Sequence, residues 1–485
     1  MARRLLHGMQ LGLSGIVLLG ALSVAVAQQP AAPRDPLRFE TADGFVKLGV
    51  EAGVQAVGEI ASFWNLARRF APTTTFNPDL AWAEGYVKPS IDAERRLGAG
   101  LALYGGLSLV ASGTAAKDVL AVGDIGRVTI ENAFAGLRIG ERGKGFYADF
   151  SGGAQPYVIG SGMLIADGGA DGFERGALIF GPRRAWAMTA IASVGYGPFS
   201  VEGFYLDANE LKSSDSKTRI AGAKADWAIA PGQFLGAAWG QVLGSTAPYP
   251  QAVPGGAPAI LTDARDGLQF FNAYVRFNPL PAALPGLWVS GDLAVQRNNR
   301  IRLAAWGARG EIGYLFANLP WRPALSYGFQ TFSGDRPGTT RLERFDPLFY
   351  DGGQAAWATG TNGSFVFINS NVNAHKFSVN FTITPQDLLT LRYAHVRANE
   401  LGSPIQFGQG TRLSIAGGAP GLVAGVPKAH LSDDFLIEYT RVISANAFLT
   451  LGAGHSIPGA GLKAAARPVK LDSWTGGFAN LVVKY

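Results

Sequence analysis

The chain has 485 residues, no cysteine, 65 glycines, 47% hydrophobic residues and only 16% charged residues, against roughly 25% charged in an average soluble protein. The absence of cysteine excludes disulfides, thiol nucleophiles, thiolate zinc sites and iron–sulfur clusters. A net charge of +6 spread along the chain is no nucleic-acid footprint, and so much aliphatic and aromatic content argues against disorder.

At the start, Arg3 and Arg4 precede an apolar run from Leu11 to Val26, and Ala25-Val26-Ala27 stands before Gln28. Residues 1–27 therefore read as a secretory signal with a small-residue cleavage site. Residues 28–43 read as a short N-terminal periplasmic segment and 44–485 as one β-barrel. Beyond residue 27 no run approaches the ~18 consecutive apolar residues of a membrane helix.

Period-2 alternation dominates instead. In Lys376–Ile383, Phe377, Val379, Phe381 and Ile383 alternate with Lys376, Ser378, Asn380 and Thr382, which gives a strand one apolar face. Phe271, Ala273, Val275 and Phe277 alternate with polar neighbours in the same way, as do Leu287, Val289, Gly291, Leu293 and Val295, and the two segments form a hairpin. Similar windows predict strands near 44–60, 82–95, 98–112, 127–139, 145–157, 185–197, 199–210, 217–229, 233–243, 268–278, 287–297, 301–316, 323–333, 366–384, 388–398, 430–443, 446–456 and 471–485. Short connections at 94–97, 195–198, 230–232, 384–387 and 444–446 contrast with long ones at 61–81, 244–266, 334–365, 399–429 and 457–470.

Trp64, Trp82, Trp186, Trp227, Trp239, Trp288, Trp306, Trp321 and Trp474 fall near strand ends, where interfacial girdles place amphipathic aromatics. The final strand ends Leu481-Val482-Val483-Lys484-Tyr485, an amphipathic strand with a terminal aromatic of the kind read by the outer-membrane assembly machinery. Backbone amides facing hydrocarbon must pair within the protein, and a closed sheet pairs them all. The fold class is thus all-β: a closed antiparallel transmembrane β-barrel of about eighteen strands, with long extracellular loops and short periplasmic turns, surrounded by outer-membrane lipid in a Gram-negative-type cell.

Two segments carry a family resemblance. Ser333-Gly334-Asp335 at a strand end is followed by Phe345-Asp346-Pro347-Leu348-Phe349, and Gly153-Ala154-Gln155-Pro156-Tyr157 precedes Gly160 and Gly162. Together they resemble the alginate export family of outer-membrane proteins, with Ala154 standing where that family commonly has an arginine. The resemblance implies an eighteen-stranded barrel and a conduit, and leaves the solute open.

A conduit for polyanions needs bases facing its lumen, where low-dielectric walls strengthen their field. With Phe271, Val275 and Phe277 facing lipid, Arg276 points inward, and parity assigns Lys376, Lys88, Lys224, Arg309 and Arg392 likewise. Inward acids, Asp92, Asp226, Asp292, Glu311 and Glu438, would pair with them in barrel-filling ion networks. Such acids would also weaken the grip on a passing polymer, since tight binding blocks a pore. Asp335, Asp346 and Asp351 are oxygen ligands that calcium could use, but they lack EF-hand spacing and read as turn-stabilising. Phe345 and Phe349 are expected to tuck their loop into or over the pore.

Catalysis finds little footing. His375, His395, His430 and His455 are far apart in sequence without a serine motif or H-E-x-x-H, and Gly160-Ser161-Gly162 lacks a P-loop lysine. The sequence therefore points to a non-enzymatic, cofactor-free and metal-free monomer that passes anionic polysaccharide or oligosaccharide, with periplasmic export partners delivering polymer. The alternatives are a general or substrate-specific small-solute uptake porin and a plugged structural barrel.

Overall fold

The computed structural model describes residues 36–98, 100–169, 176–177, 180–210, 213, 215–351, 367–407 and 421–485. The signal segment 1–27 lies outside them. The strands in chain order are β1 (Arg38–Thr41), β2 (Gly44–Ile60), β3 (Leu80–Gly98), β4 (Leu101–Lys117), β5 (Gly123–Gly140), β6 (Phe146–Ala154), β7 (Met188–Tyr196), β8 (Phe199–Asp207), β9 (Arg219–Ala230), β10 (Gln233–Gly244), β11 (Tyr249–Gln251), β12 (Ala259–Leu261), β13 (Gln269–Phe277), β14 (Leu287–Asn298), β15 (Leu303–Leu315), β16 (Ala324–Phe332), β17 (Val372–Thr382), β18 (Asp387–Ala398), β19 (Ile405–Gln406), β20 (Leu422–Val423), β21 (His430–Ser444), β22 (Ala447–Pro458) and β23 (Trp474–Lys484). Eighteen of them pair antiparallel, neighbour to neighbour, and β23 returns to β2 to close the barrel. Among the described residues no helix is long and apolar enough to cross a membrane.

Alternation produces the two faces. Along β14, Leu293 and Val295 lie exposed on the outer wall while Asp292, Ala294, Gln296 and Asn298 are buried inside. The hairpin of β13 and β14 pairs Phe271 with Val295 and Arg276 with Ser290. The strand ends joined by the short connections after β3, β7, β9, β17 and β21 lie at one rim, and those joined by the long connections after β2, β6, β10, β16, β18 and β22 at the other.

Some boundaries and placements differ from the sequence reading. β3 runs through Glu94, Arg95 and Arg96 to Gly98, so the turn falls at 99–100 instead of 94–97. Arg138 holds Glu94 at 2.8 Å and keeps this charged stretch in the sheet. Arg38–Thr41 forms β1 and pairs with Gly44–Lys47 of β2. The hairpins β11–β12 and β19–β20 are small sheets inside loops.

Five of the nine expected girdle tryptophans, Trp64, Trp82, Trp186, Trp288 and Trp474, are buried inside the barrel. Each indole N–H has a polar partner there: Trp64 donates to Ser456 Oγ at 3.0 Å, Trp82 to Glu84 at 2.8 Å, Trp186 to the Tyr157 carbonyl at 3.3 Å and Trp288 to Glu311 at 3.2 Å, while Trp474 donates to Glu59. The outer girdle is built largely from other rings. Tyr327, Phe377, Tyr393 and Phe435 follow one another on adjacent strands, with centroids 4.9, 6.2 and 5.0 Å apart. Toward the short-turn rim Phe199 stacks on Trp227 at 5.6 Å.

The densest apolar core sits inside the barrel near the long-loop rim. Trp64 meets Phe367 at 5.6 Å and Trp474 at 5.4 Å, and Phe63 meets Phe407 at 5.8 Å. These rings come from residues 63–64, 367 and 407 of three connections and from β23, and they pack together within the lumen.

Candidate permeation pathway

Strand parity places all six candidate bases and all five candidate acids on inward positions. One stretch of wall concentrates them. Arg276 is registered with Ser290, Ser290 with Glu311, Glu311 with Gly328 and Gly328 with Lys376, forming one row across β13 to β17. Arg309 stands one inward position toward the long loops and opposite Asp292, while Arg392 and then Glu438 lie toward the short turns. Arg309 and Glu311 form an ion pair. Lys376 feels Arg309 and Arg392 as like charges and Glu311 as an opposite one. Four bases thus share a wall with three acids.

The remaining candidates lie elsewhere around the barrel. Lys224 reaches Glu202 at 3.3 Å and Asp226 at 3.6 Å. Lys88 is registered with Glu51, and Asp92 with Lys47; Glu51 itself binds Lys484 at 2.9 Å. At the short-turn rim a cavity of about 1070 Å³ is lined by Arg96, Arg138, Arg142, Asp149, Glu202 and Lys224, among others. Sequence parity did not single out Glu202, Arg138 or Asp149, although each alternates with an exposed neighbour: Val201, Leu137 and Phe150.

The family-motif loop descends into the lumen. Ser333 Oγ donates to the Glu343 carbonyl at 2.6 Å and accepts from the Trp306 amide at 3.0 Å. A Cβ at Gly334 would collide with the Asn371 side chain. Asp335 accepts from the amides of Ala252 and Glu343, both at 2.9 Å. Arg265 grips Asp346 bidentately at 2.8 and 2.7 Å, and Gln296 bonds both the amide and the carbonyl of Asp346 at 2.8 and 2.6 Å. Phe345, Pro347, Leu348 and Phe349 are buried as a result. The loop tucks in as the sequence implied.

A second segment crosses beside it. Phe349 bridges in parallel to Ile165, its amide donates to Leu164 at 2.9 Å, and its ring meets Trp186 at 5.0 Å. Ser161 donates to Asp292 at 2.7 Å. At Gly160, φ is +54° and a Cβ would lie 2.4 Å from the Tyr274 ring, so the left-handed turn and the close approach both require glycine. Gln155 holds Ser151 at 3.0 Å and Thr189 at 2.7 Å where β6 ends. Burial pushes the Asp167 carboxyl in this loop up to about 6, with Arg184 opposing the shift and Asp351 adding to it.

Asp335, Asp346 and Asp351 each have a protein partner. Asp335 and Asp346 accept from backbone amides or arginine, and Asp351 lies 3.8 Å from Arg184. The histidines, distant in sequence, are drawn together: His375, His395, His430 and His455 occur on β17, β18, β21 and β22 near the long-loop rim. Only strand pairing, which no local motif announces, makes them neighbours.

Residues 282–474 match the alginate export family. That stretch holds Asp292, Arg309, Glu311, Lys376, Arg392, Glu438 and the whole Ser333–Phe349 loop, and leaves Arg276, Lys224 and Lys88 outside. The match and the closed barrel together are those of a Gram-negative outer-membrane channel protein. OpdK of Pseudomonas aeruginosa is similar in fold, with a TM-score of 0.50, 10% identity and coverage of 90% of this chain and 98% of that one. OccK2 (OpdF) of the same organism, solved with glucuronate, gives 0.48 at 11% identity, covering 90% and 97%. Salmonella typhi OmpF with daunomycin gives 0.43 at 10%, covering 92% and 100%. No curated protein matches the chain.

Proposed function

We propose that the barrel passes anionic polysaccharide or oligosaccharide across the outer membrane, passively and as a monomer. Long loops face the exterior and short turns the periplasm, the usual disposition in this class of barrel. The observation that carries the reading is the wall of Arg276, Arg309, Lys376 and Arg392, four bases on inward positions of adjacent strands. A carboxylated sugar chain that reaches this wall meets four bases in one patch. Arginine offers a bidentate fork to a carboxylate, and lysine a mobile point charge. Glu311, Asp292 and Glu438 hold the bases in place and moderate the attraction, so that a polymer is released from one rung to the next.

The infolded Ser333–Phe349 loop supplies the gate. No nucleotide motif drives transport, so direction comes from periplasmic partners that deliver polymer, and the outer-membrane assembly machinery inserts the barrel. Single-channel current through refolded protein, titrated with polyuronate and with neutral oligosaccharide at fixed salt, tests the reading. Block or transit by polyuronate alone, weakened in the Arg276→Ala/Lys376→Ala double variant, is the expected result. Steady conductance indifferent to both sugars would overturn it in favour of a small-solute uptake porin.

A further inference from the structure

We infer that the outer wall of the barrel carries a cation site of the zinc class, formed by His395, His430 and Asp433 at the long-loop rim. Among the described residues these are the one set of three ligating side chains whose donor atoms converge, all within 4.8 Å of one another. His395 Nδ1 lies 2.7 Å from Asp433 Oδ1, and His430 Nε2 lies 3.0 Å from Asp433 Oδ2. The latter pair is close but misaligned, so the buried His430 Nε2 has no hydrogen-bond partner. A ring nitrogen held beside a carboxylate without a bond is poised for a cation between them.

The backbone is built to assemble the set. Residues 430 and 433 differ by three, and a regular strand would send them to opposite faces. The register of β18 on β21 shifts between Val396 and Arg397, pairing Val396 with Ser432 and Arg397 with His430. That irregularity turns His430 outward, as bulges re-aim side chains, while Leu431 is fully buried. The His395 and His430 rings stack at 4.7 Å, and Tyr393 Oη donates to Asp433 Oδ1 at 2.8 Å. Tyr393 is a positioning residue that orients the carboxylate, the role of outer partners in metal sites.

Two imidazoles and one carboxylate form a donor set suited to Zn²⁺ or Cu²⁺, whereas Ca²⁺ and Mg²⁺ prefer oxygen ligands alone. Three protein ligands leave a fourth position to solvent at the membrane interface. Metal there would staple β18 to β21 beside the loop 399–429, on the wall opposite in face to the lumen, so the site is independent of permeation.

The test uses untagged, detergent-folded full-length barrel, titrated with zinc chloride by calorimetry and loaded with Cu²⁺ for electron paramagnetic resonance. One saturable equivalent is expected, with two nitrogen ligands in the Cu²⁺ spectrum. His430→Gln should remove one of those nitrogens, His395→Ala should abolish tight binding, and Tyr393→Phe should weaken binding roughly ten-fold. His455→Ala, whose ring bonds Thr475 at 2.8 Å, should bind as the unaltered protein does. Absence of saturable zinc binding, a Cu²⁺ spectrum of the unaltered protein without nitrogen ligands, or binding that survives in the His395→Ala/His430→Ala double variant would each overturn the site. The spectrum of the unaltered protein decides the matter even where a variant fails to fold.

Discussion

The inward face changes character along individual strands. On β17, Val372 and Ala374 near the long loops give way to Lys376, Ser378 and Asn380; on β18, Ala398, Val396 and Ala394 give way to Arg392 and Thr390; on β15, Leu303, Ala305 and Gly307 give way to Arg309 and Glu311. The upper tier is small and apolar because it faces folded loops, with Phe332 and Met163 lying over Gly307. The lower tier is charged, and its groups are themselves buried or half-buried against one another: Lys376 and Asp292 are buried, and Arg309 pairs with Glu311. The same strand parity thus serves two interiors within one barrel: an apolar one packed against loops above and an ion-paired one below.

The largest way to break this contrast is to release the upper tier. Removing one partner of a buried ion pair costs about 3–5 kcal/mol, and Arg265 is the clamp on Asp346. Arg265→Ala should free the Ser333–Phe349 loop, raise single-channel conductance severalfold and expose the loop to limited proteolysis. Unchanged conductance would show that the infolded loop does not gate the pore. A smaller effect is expected at Gly160→Ala, where the new methyl meets the Tyr274 ring at positive φ. Overpacking of this kind costs about 1–3 kcal/mol, and the thermal melt of the purified barrel should fall accordingly.

Proton uptake sharpens the contrast further. The folded Asp167 carboxyl titrates at about 6 instead of near 3.8, so between these values the folded loop holds a proton that the unfolded chain does not. Its packing is therefore most stable in acid and loses stability as pH rises through about 6, where ionised Asp167 faces Asp351. Open probability should rise between pH 5 and 7.5, and Asp167→Asn should flatten the profile. The smallest effect belongs to the lower tier. Lys224→Ala leaves Glu202 and Asp226 without their shared base, so reversal potentials should move modestly toward cation preference.

What the sequence discloses follows from what is periodic. The eighteen barrel strands and the inward set from Lys88 to Glu438 are legible because a half-lipid, half-lumen strand must alternate. The fate of the tryptophans is not, because an indole ring suits an interfacial belt and a loop-filled lumen equally. Trp64 and Trp186 are inside because residues 61–67 and 155–169 fold inward, and loop residues such as Ile159, Leu164 and Ile165 carry no period to reveal it. His430 escapes parity because one irregular pairing reverses its face. The Glu94-Arg95-Arg96 stretch resembles a turn by composition and remains strand because Arg138 and Glu94 find each other across the sheet.

Strand β2 has a consequence for how the molecule comes to be. It pairs with β3 along one edge, while its other edge is shared by β1, through Gly44–Lys47, and β23, through Glu51–Ile60. Contacts across that seam, such as Trp474 with Glu59, join residues 415 positions apart. Such distant pairing is slow, since a long loop must close before any contact rewards it. Until β23 arrives, most of that edge of β2 is an unsatisfied template that any passing strand could extend. β1 protects only its first rungs, so productive biogenesis is a race between correct seam closure and capture by a foreign edge, and the seam is where a chaperoning surface would do most to decide the winner.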